Sequence, residues 1–272
     1  MNTTVETKPN ITFGGSIPKI YEEVLGPVYF EPYAIHIAEC AAALNPATVL
    51  ETACGTGRVT KHLKHKMPHA QITSTDLNPD MLAIAKEKMK NENLQFQQAD
   101  ATALPFPDNS FDCVITQFGV MFYPDKVKGM AEAFRVLKPG GTFIFNTWGK
   151  IEDNPMSATG REIITAFFQN DPPAFYNVPY SLHKADEVEG IVKQGGFKDV
   201  RHEVLVKPCI AESAEVMSSG LVEGNPIVNA IRERDAEAVP VLKAKVFETL
   251  VSRFGDHPCK STMQAIVFSA KK

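Results

Sequence analysis

The stretch VLETACGTGRVT, from Val49 to Thr60, constrains the fold of this chain more than any other. It predicts a buried strand ending at Glu51, a turn of small residues and the start of a helix. Because Ala53, Gly55 and Gly57 have almost no side chain, a ligand can approach the backbone of the turn closely. The first N–H groups of the helix would face the same place, which suits an anionic group. With Glu51 as a nearby acceptor, the pattern indicates a nucleotide-like cofactor.

Strands and helices alternate after this turn. Asn78-Pro79-Asp80 is a strong helix start, because Asn caps, Pro fits the first turn and Asp favours the helix dipole. Repeated units of this length predict a parallel sheet with right-handed crossovers. We therefore expect an α/β, Rossmann-like, mostly parallel seven-stranded sheet with helices on both faces and an antiparallel last strand. The expected strands are 47–51, 71–75, 94–98, 111–116, 142–147, 197–206 and 262–269.

Helical segments flank this core. The sequence predicts a helix from Pro18 to Leu25, a break at Gly26-Pro27 and a second helix to about Leu44, which together would form an N-terminal lid over the site. Packing of these helices against the sheet edge is the alternative. A helical insertion over 210–257 precedes the last strand. We expect one domain, comprising a lid (1–44), a cofactor-binding core (45–150), substrate-covering segments (151–183 and 207–260) and segments that complete the sheet (184–206 and 261–272).

Composition excludes several classes of protein. A net charge of −4 makes the chain a poor candidate for binding nucleic acid, and the basic run Lys61–Lys66 fits a solvated helix face. No apolar run approaches the roughly 18 residues that a membrane span needs, and residues 1–10 are too polar for a signal peptide. The five cysteines form no Cys-x-x-Cys pair, so we expect no metal site, no disulfide framework and a reduced, cytoplasmic setting. Binding of magnesium by carboxylates is the alternative that stays open.

The ends of the predicted strands carry polar side chains. Asp76 ends the second strand, Asp100 follows the third and Gln117 follows the fourth. In an open parallel sheet, ligands bind past the carboxyl ends of the strands. Asp76 lies about 20 residues past Gly57, the usual distance for a carboxylate that accepts from a ribose diol. A role as the N-terminal anion of helix 79–89 is the alternative, and the two could coexist.

Five motifs in this order, at the ends of predicted strands, make a specific signature. With them, the chain resembles the class I S-adenosylmethionine-dependent methyltransferases, in particular the small-molecule group that includes the ubiquinone/menaquinone-biosynthesis type. The resemblance spans about residues 45–150. The motifs are 49–57, Asp76-Leu77, 99–101, 111–117 with 121–125, and 135–141.

The resemblance implies S-adenosylmethionine as cofactor and S-adenosylhomocysteine as product. The glycine turn would hold the methionine part, with Glu51 near its ammonium and Gln117 beside it. Asp76 would accept from the ribose, Leu77 would pack on the adenine, and Asp100 would accept from its amino group. The expected cofactor-binding residues are Tyr21, Tyr33, Glu51, Ala53, Gly55, Thr56, Gly57, Asp76, Leu77, Met81, Asp100, Ala101 and Gln117. Many members have glycine at position 53, so we expect Ala53 to have a negative φ.

The reaction would be in-line displacement, in which an O, N, S or C nucleophile attacks a methyl group on a sulfonium, and it requires mainly positioning and desolvation. We expect the acceptor to be an O, N or S atom of a small, partly apolar or aromatic molecule. Candidate general bases are Tyr21, His36, Tyr123 and His183, although a structural role is the commoner one for each. The strand end Gln117-Phe-Gly-Val lacks the Asn-Pro-Pro-Tyr pattern of amide methylation. The catalytic residue is left open.

Aromatic and apolar residues are expected to form the acceptor pocket. Ordinary core packing is the alternative for each of them. We expect a monomer or a homodimer whose partner is a small-molecule methyl acceptor, with no nucleic acid and no membrane. The expected substrate-binding residues are Phe13, Phe118, Met121, Trp148 and Tyr176, with Phe30 and Phe175 nearby.

Two other functions are compatible with parts of the pattern. An NAD-dependent oxidoreductase shares the strand, the turn and the acid, but its fingerprint needs a third glycine where this chain has Thr60. A non-catalytic regulator that binds the cofactor is the second alternative, because fold alone does not exclude it.

Overall fold

The computed structural model describes residues 13–272. The polar segment 1–12 lies outside the described residues. Within residues 13–272, seven strands form a single sheet in the order β3-β2-β1-β4-β5-β7-β6. Strand β7 is antiparallel to both β5 and β6, whereas the other pairs are parallel, which confirms the predicted fold class. The strands are β1 Thr48–Glu51, β2 Gln71–Asp76, β3 Gln95–Gln98, β4 Phe111–Gln117, β5 Leu137–Trp148, β6 Asp199–Ala211 and β7 Cys259–Lys271.

Strand order reverses between β1 and β4, because successive strands run outward in opposite directions from this pair. Such a switch point leaves a crevice at the carboxyl ends of the strands, where ligands of open α/β sheets bind. The glycine turn after β1 and the segment after β4 both lie at this crevice. The fold therefore places the predicted motifs together.

Helices cover both faces of the sheet. The Asn78 side chain caps α4 as predicted, since its Oδ1 accepts from the N–H groups of Asp80 and Met81. Most of the predicted helical stretch 210–257 forms α8, α9 and α10, whereas Ile210 and Ala211 still belong to β6. No helix within residues 13–272 is both long and apolar enough to cross a membrane. The α-helices are α1 Ile17–Ile20, α2 Glu31–Ala42, α3 Arg58–Lys66, α4 Pro79–Lys88, α5 Lys126–Val136, α6 Pro155–Phe167, α7 Ala185–Gln194, α8 Ala214–Glu223, α9 Ile227–Arg234 and α10 Ala238–Phe254.

The predicted break at Gly26-Pro27 is wrong. Residues Tyr21–Phe30 form a π-helix that joins α1 to α2 without interruption. The wider winding accommodates Pro27, whose nitrogen cannot donate a hydrogen bond. Gly26 does not end the helix but is required by packing, because a Cβ at this position would lie 2.1 Å from Nη2 of Arg58. The glycine lets the guanidinium of α3 approach the π-helix.

Helix α2 is a core element. Ala34, Ile37, Ala38 and Ala41 are completely buried, in a cluster that also contains Val49 of β1 and Leu63 of α3. The second half of the predicted lid is therefore packed against the sheet, as in the alternative interpretation. Of the described lid elements, the π-helix reaches the glycine turn, where the Glu22 carboxylate accepts from the Thr56 hydroxyl.

Candidate active site

The glycine turn after β1 is built from left-handed backbone. Gly55 and Gly57 have φ of 55° and 77°, a region that favours glycine. A Cβ at Gly57 would also lie 2.3 Å from Cε of Met89, so this glycine lets α4 pack closely. The positive φ at both positions and the close contact at Gly57 explain why this turn contains glycine.

Ala53 contradicts the expectation of a negative φ, since its φ is 51°. Hydrogen bonds on both sides fix this backbone: the Thr52 N–H donates to the Ile115 carbonyl and the Cys54 N–H to that of Thr75, both at 2.9 Å. Gly119 leaves room for the methyl group of Ala53, because a Cβ on Gly119 would lie 2.6 Å from the Cβ of Ala53. Flanking strands therefore overcome a backbone preference of about 1 kcal/mol.

The Asp76 carboxylate is oriented by backbone. Its Oδ2 accepts from the Gly55 N–H at 2.7 Å and its Oδ1 from the Asn78 N–H at 2.8 Å. Burial raises the pKa of this carboxyl, and the two N–H bonds oppose that shift. The geometry fits both predicted roles, ribose binding and an anion at the start of α4. Each oxygen can still accept a hydrogen bond from a hydroxyl, and Oδ1 already accepts from the N–H of Asn78, the cap of α4.

Glu51 is the most deeply buried carboxylate at the crevice. It is 1% exposed, and its Oε2 accepts from the hydroxyls of Thr60 and Ser74. Burial raises the pKa of Glu51 to about 7, against the lowering effect of these two hydrogen bonds. A cationic ligand beside this carboxyl would favour its ionised form.

Gln117, Asp100 and Leu77 also fit the predicted cofactor. The buried Oε1 of Gln117 has no hydrogen-bond partner among the described residues, while its Nε2 donates to the Phe30 carbonyl at 3.3 Å. An ammonium donor would satisfy this oxygen. Asp100 is held by the N–H and hydroxyl of Thr102 at 2.7 and 2.8 Å. Leu77, next to Asp76, is 62% exposed, so its apolar side chain is open to contact with a ring.

Of the other predicted cofactor residues, Thr56 and Met81 are buried at the turn, and Ala101 follows Asp100 in the loop after β3. Tyr21 begins the π-helix and lines the pocket described below. Tyr33 has another role. It is completely buried, and its hydroxyl donates to the carbonyls of Leu205 and Met263 at 3.2 and 2.9 Å. The structure thus uses this hydroxyl to join α2 to β6 and β7.

An ion-pair network that the sequence analysis missed joins the π-helix to the glycine turn. The Glu22 carboxylate accepts from the Thr56 hydroxyl and pairs with Arg58 at 3.0 Å and with Lys88 at 2.5 Å. Arg58 also pairs with Glu31 at 2.6 Å. No local pattern could reveal the network, because Glu22 lies 34 residues before Thr56 in the chain.

An aromatic pocket adjoins the end of β4. Its volume is about 630 Å³, including the space at its mouth. Phe118 has a φ of 50° and stacks on Trp148 with 3.8 Å between ring centroids and 9° between planes. Among the predicted substrate residues, Met121 is buried in the core and does not line the pocket. The lining residues are Phe13, Tyr21, Leu25, Tyr29, Phe30, Phe118, Phe122, Trp148, Ser157, Phe175, Tyr176, Pro179, Tyr180, Leu221 and Asn225.

The polar groups of this pocket are mainly hydroxyls. Ser157 Oγ donates to the Tyr29 hydroxyl at 2.9 Å, and Tyr180 lies beside them. Burial raises the pKa of Tyr21, Tyr29 and Tyr180, so all three stay protonated at neutral pH. Nothing in the local sequence of Ser157 distinguishes it from the other serines of the chain.

The other candidate bases do not line the pocket. Tyr123 is buried with its hydroxyl 3.2 Å from that of Thr52, and His36 pairs with Glu203 of β6 at 2.8 Å. His183 Nδ1 lies 2.8 Å from the Tyr180 carbonyl, behind the pocket wall. Tyr21 is therefore the only one of the four that lines the pocket within the described chain.

Known proteins share both the motifs and the fold. The family described as "Methyltransferase domain" matches residues 50–145. The ubiquinone/menaquinone biosynthesis C-methyltransferase UbiE of Salmonella paratyphi B is 30% identical over 188 residues, which cover 64% of this chain and 75% of that protein. The chain belongs to the class I S-adenosylmethionine-dependent methyltransferases. It resembles their ubiquinone-biosynthesis group, and S-adenosylmethionine is its cofactor.

Two further comparisons define the extent of this likeness. UbiE of Pasteurella multocida is 39% identical over 124 residues, but the alignment covers 44% of this chain and 46% of that protein. The solved structure of phosphoethanolamine N-methyltransferase 2 of Haemonchus contortus, which contains S-adenosylhomocysteine, has a TM-score of 0.57 and 19% identity, and covers 94% of this chain and 56% of that one. At this identity the second likeness shows the fold of a methyltransferase and nothing finer.

Proposed function

We propose that this methyltransferase acts on a small, uncharged aromatic acceptor of the phenol or quinol class, bound in the aromatic pocket. The observation that carries the proposal is the pocket wall itself. None of its described lining residues carries a charge, and ten of them are aromatic. Such a wall favours a flat apolar molecule over a charged amine or phosphate, which would lose its hydration without a counter-ion.

The arrangement of residues assigns a role to each side of the site. When bound, S-adenosylmethionine supplies an electrophilic methyl group on a sulfonium. Asp76 would accept from the ribose, and Gln117 and Glu51 would accept from the ammonium at the end of the same crevice. Phe118 directly follows Gln117, so the acceptor in the aromatic pocket would lie next to the reactive end of the cofactor. The lid residues Tyr21 and Phe30, stacked at 4.8 Å, would exclude water from this point.

The acceptor would supply its own nucleophile. The described wall offers tyrosine and serine hydroxyls but no histidine or carboxylate. The buried tyrosines are hydrogen-bond donors, because burial raises their pKa, and they are therefore poor bases. An electron-rich ring carbon can attack the methyl group without a base, because its ring proton would pass to solvent only after the carbon–carbon bond has formed. A neutral phenol oxygen would release its hydroxyl proton to solvent in the same way. The name of the UbiE relatives, C-methyltransferase, supports the ring carbon as the first candidate.

Methyl transfer from labelled S-adenosylmethionine to a panel of quinols, phenols, aliphatic amines and thiols tests the proposal. We expect product from the aromatic members, with the methyl group on carbon or oxygen assigned by NMR of the product. Trp148→Leu should abolish turnover and leave S-adenosylhomocysteine binding intact, whereas Phe106→Leu, at an aromatic residue outside the pocket, should change neither. Transfer to amines or thiols alone would contradict the proposed acceptor class.

A further inference from the structure

A cluster of metal-ligating side chains lies apart from the methyltransferase site. His36 and Cys40 are four residues apart on α2, so they lie on the same side of the helix. Glu203 of β6 faces them across the helix–sheet interface. The imidazole nitrogen, the thiol sulfur and a carboxylate oxygen all lie within 4.8 Å of one another.

The Glu203 oxygen and the Cys40 sulfur both contact the same nitrogen of His36. His36 Nε2 is 2.8 Å from Oε1 of Glu203 and 3.6 Å from Sγ of Cys40. In a tetrahedral zinc site, the bond lengths place a nitrogen and a sulfur ligand about 3.6 Å apart, and a nitrogen and an oxygen ligand about 3.3 Å apart. Both spacings lie within about 0.5 Å of those in the structure. A small movement of the Glu203 side chain would therefore complete the geometry.

The surroundings allow that movement. The Glu203 side chain is 55% exposed, whereas that of His36 is 21% exposed. The helix side of the cluster is consequently fixed by the core, while the strand side faces solvent. The neighbouring acid Glu39 pairs with Lys66 at 3.1 Å. The Glu203 carboxylate, which contacts His36, would supply the negative charge that compensates a cation.

We propose that His36, Cys40 and Glu203 bind one divalent ion of the zinc type, with solvent as the fourth ligand. A thiol, an imidazole and a carboxylate together are ligands that zinc accepts. On binding, the thiol proton passes to solvent and a metal–sulfur bond forms. The ion would connect the core helix α2 to the edge strand β6, and so stabilise the fold without entering the methyl-transfer site.

Sequence spacing alone could not indicate this site. His36 and Glu203 are separated by 167 positions, and the absence of a Cys-x-x-Cys pair led to the expectation of no metal. The His-x₃-Cys spacing on a helix was the only local signal, and two ligands are too few to predict a site.

Cobalt titration of chelator-treated protein tests the proposal, because thiolate ligation gives a near-ultraviolet charge-transfer band. We expect one Co²⁺ per chain, displaced by Zn²⁺, and a rise in melting temperature with Zn²⁺. Cys40→Ser should remove the band, and Glu203→Gln, an exposed change that spares the fold, should weaken binding at least tenfold. His69→Ala, at an exposed histidine elsewhere, should leave binding unchanged.

Two outcomes would overturn the proposal: a cobalt spectrum without the thiolate band, or equal affinity in Glu203→Gln and the unchanged protein. S-adenosylhomocysteine binding should remain the same with and without Zn²⁺. This control separates the metal site from the proposed methyl transfer, since each can fail while the other holds.

Discussion

The cofactor side and the acceptor side of the site are built in opposite ways. On the cofactor side, carboxylates and an amide at the ends of neighbouring strands are oriented by hydrogen bonds to backbone groups and hydroxyls, as with Asp76 and the Gly55 N–H. On the acceptor side, rings from distant parts of the chain pack on one another, as with Phe118 and Trp148. The first side is specified by hydrogen bonds over a short stretch of sequence, the second by shape over most of the chain.

This difference predicts which measurement each change affects. Hydrogen-bond losses on the cofactor side should appear in S-adenosylhomocysteine affinity, with little change in stability. Ring losses on the acceptor side should appear in stability and turnover, because the same rings form the pocket and the core.

The largest effect should follow Trp148→Ala. Trp148 is 5% exposed and contacts the rings of Phe118, Tyr33 and Tyr29, so its loss leaves a cavity. We expect the free energy of unfolding to fall by about 3–5 kcal/mol in denaturant titrations. S-adenosylhomocysteine affinity of the folded protein should change less than threefold. A large loss of S-adenosylhomocysteine affinity with unchanged stability would contradict the prediction, because Trp148 would then behave like a residue of the cofactor side.

A smaller loss of stability should follow Gly119→Ala. The added methyl group would meet Cβ of Ala53 at 2.6 Å and Cγ2 of Thr116 at 2.7 Å. We expect destabilisation of about 1–3 kcal/mol, measured by denaturant unfolding. Ala53→Gly should restore part of this loss in the double variant, because it removes one of the two clashing groups. If the two changes in unfolding free energy simply add in the double variant, the contact between positions 53 and 119 does not limit packing.

Asp76→Ala tests the cofactor side. Loss of a carboxylate that accepts from the ribose should weaken S-adenosylhomocysteine binding by roughly 1–3 kcal/mol in calorimetry. Asp80→Ala is the matched control, since this exposed acid lies on the first turn of α4. Equal affinities of the Asp76 variant and the unchanged protein would remove Asp76 from the ribose role.

Glu51 should make cofactor binding depend on pH. With its pKa near 7, the carboxyl is protonated below that pH and cannot attract an ammonium. S-adenosylhomocysteine affinity should therefore rise between pH 5.5 and 8, by at most about tenfold per unit. The stability effect has the opposite sign: burial raises the folded-state pKa, so the contribution of Glu51 to stability, full below pH 4.5, is lost as pH rises through 7.

Glu51→Gln should flatten both profiles, measured by calorimetry and by thermal unfolding across the same pH range. A profile that keeps its slope in this variant would assign the titration to another group.

Sequence reasoning succeeded where a signal is local. The Asn78 cap and the strand ending at Asp76 each depend on a few adjacent residues, and the alternation of elements gave the sheet. It failed where distant residues decide. Ala53 adopts a positive φ because Ile115 and Thr75 hold its neighbours. Gly26-Pro27 does not break the helix because Tyr21–Phe30 winds as a π-helix, and Gly26 makes room for the guanidinium of the distant Arg58.

The acceptor side was predicted only in kind. An aromatic pocket followed from composition near the strand ends, but Ser157 and Tyr29 meet across 128 positions and had no local signal. Met121 was expected in the pocket but lies in the core. Its place in the sequence, just after β4, does not reveal which of the two its side chain faces.

The position of β7 bears on how the chain folds during synthesis. This strand is the last in sequence yet lies between β5 and β6, and its 13 residues pair with β6 along the full length of that strand. While the chain emerges from the ribosome, β6 has no neighbour among the described strands until residues 259–271 are available. The cofactor crevice between β1 and β4 can form before then, whereas the sheet edge that carries Glu203 cannot. A nascent chain stalled before β7 should thus expose an unpaired strand, a natural target for chaperones.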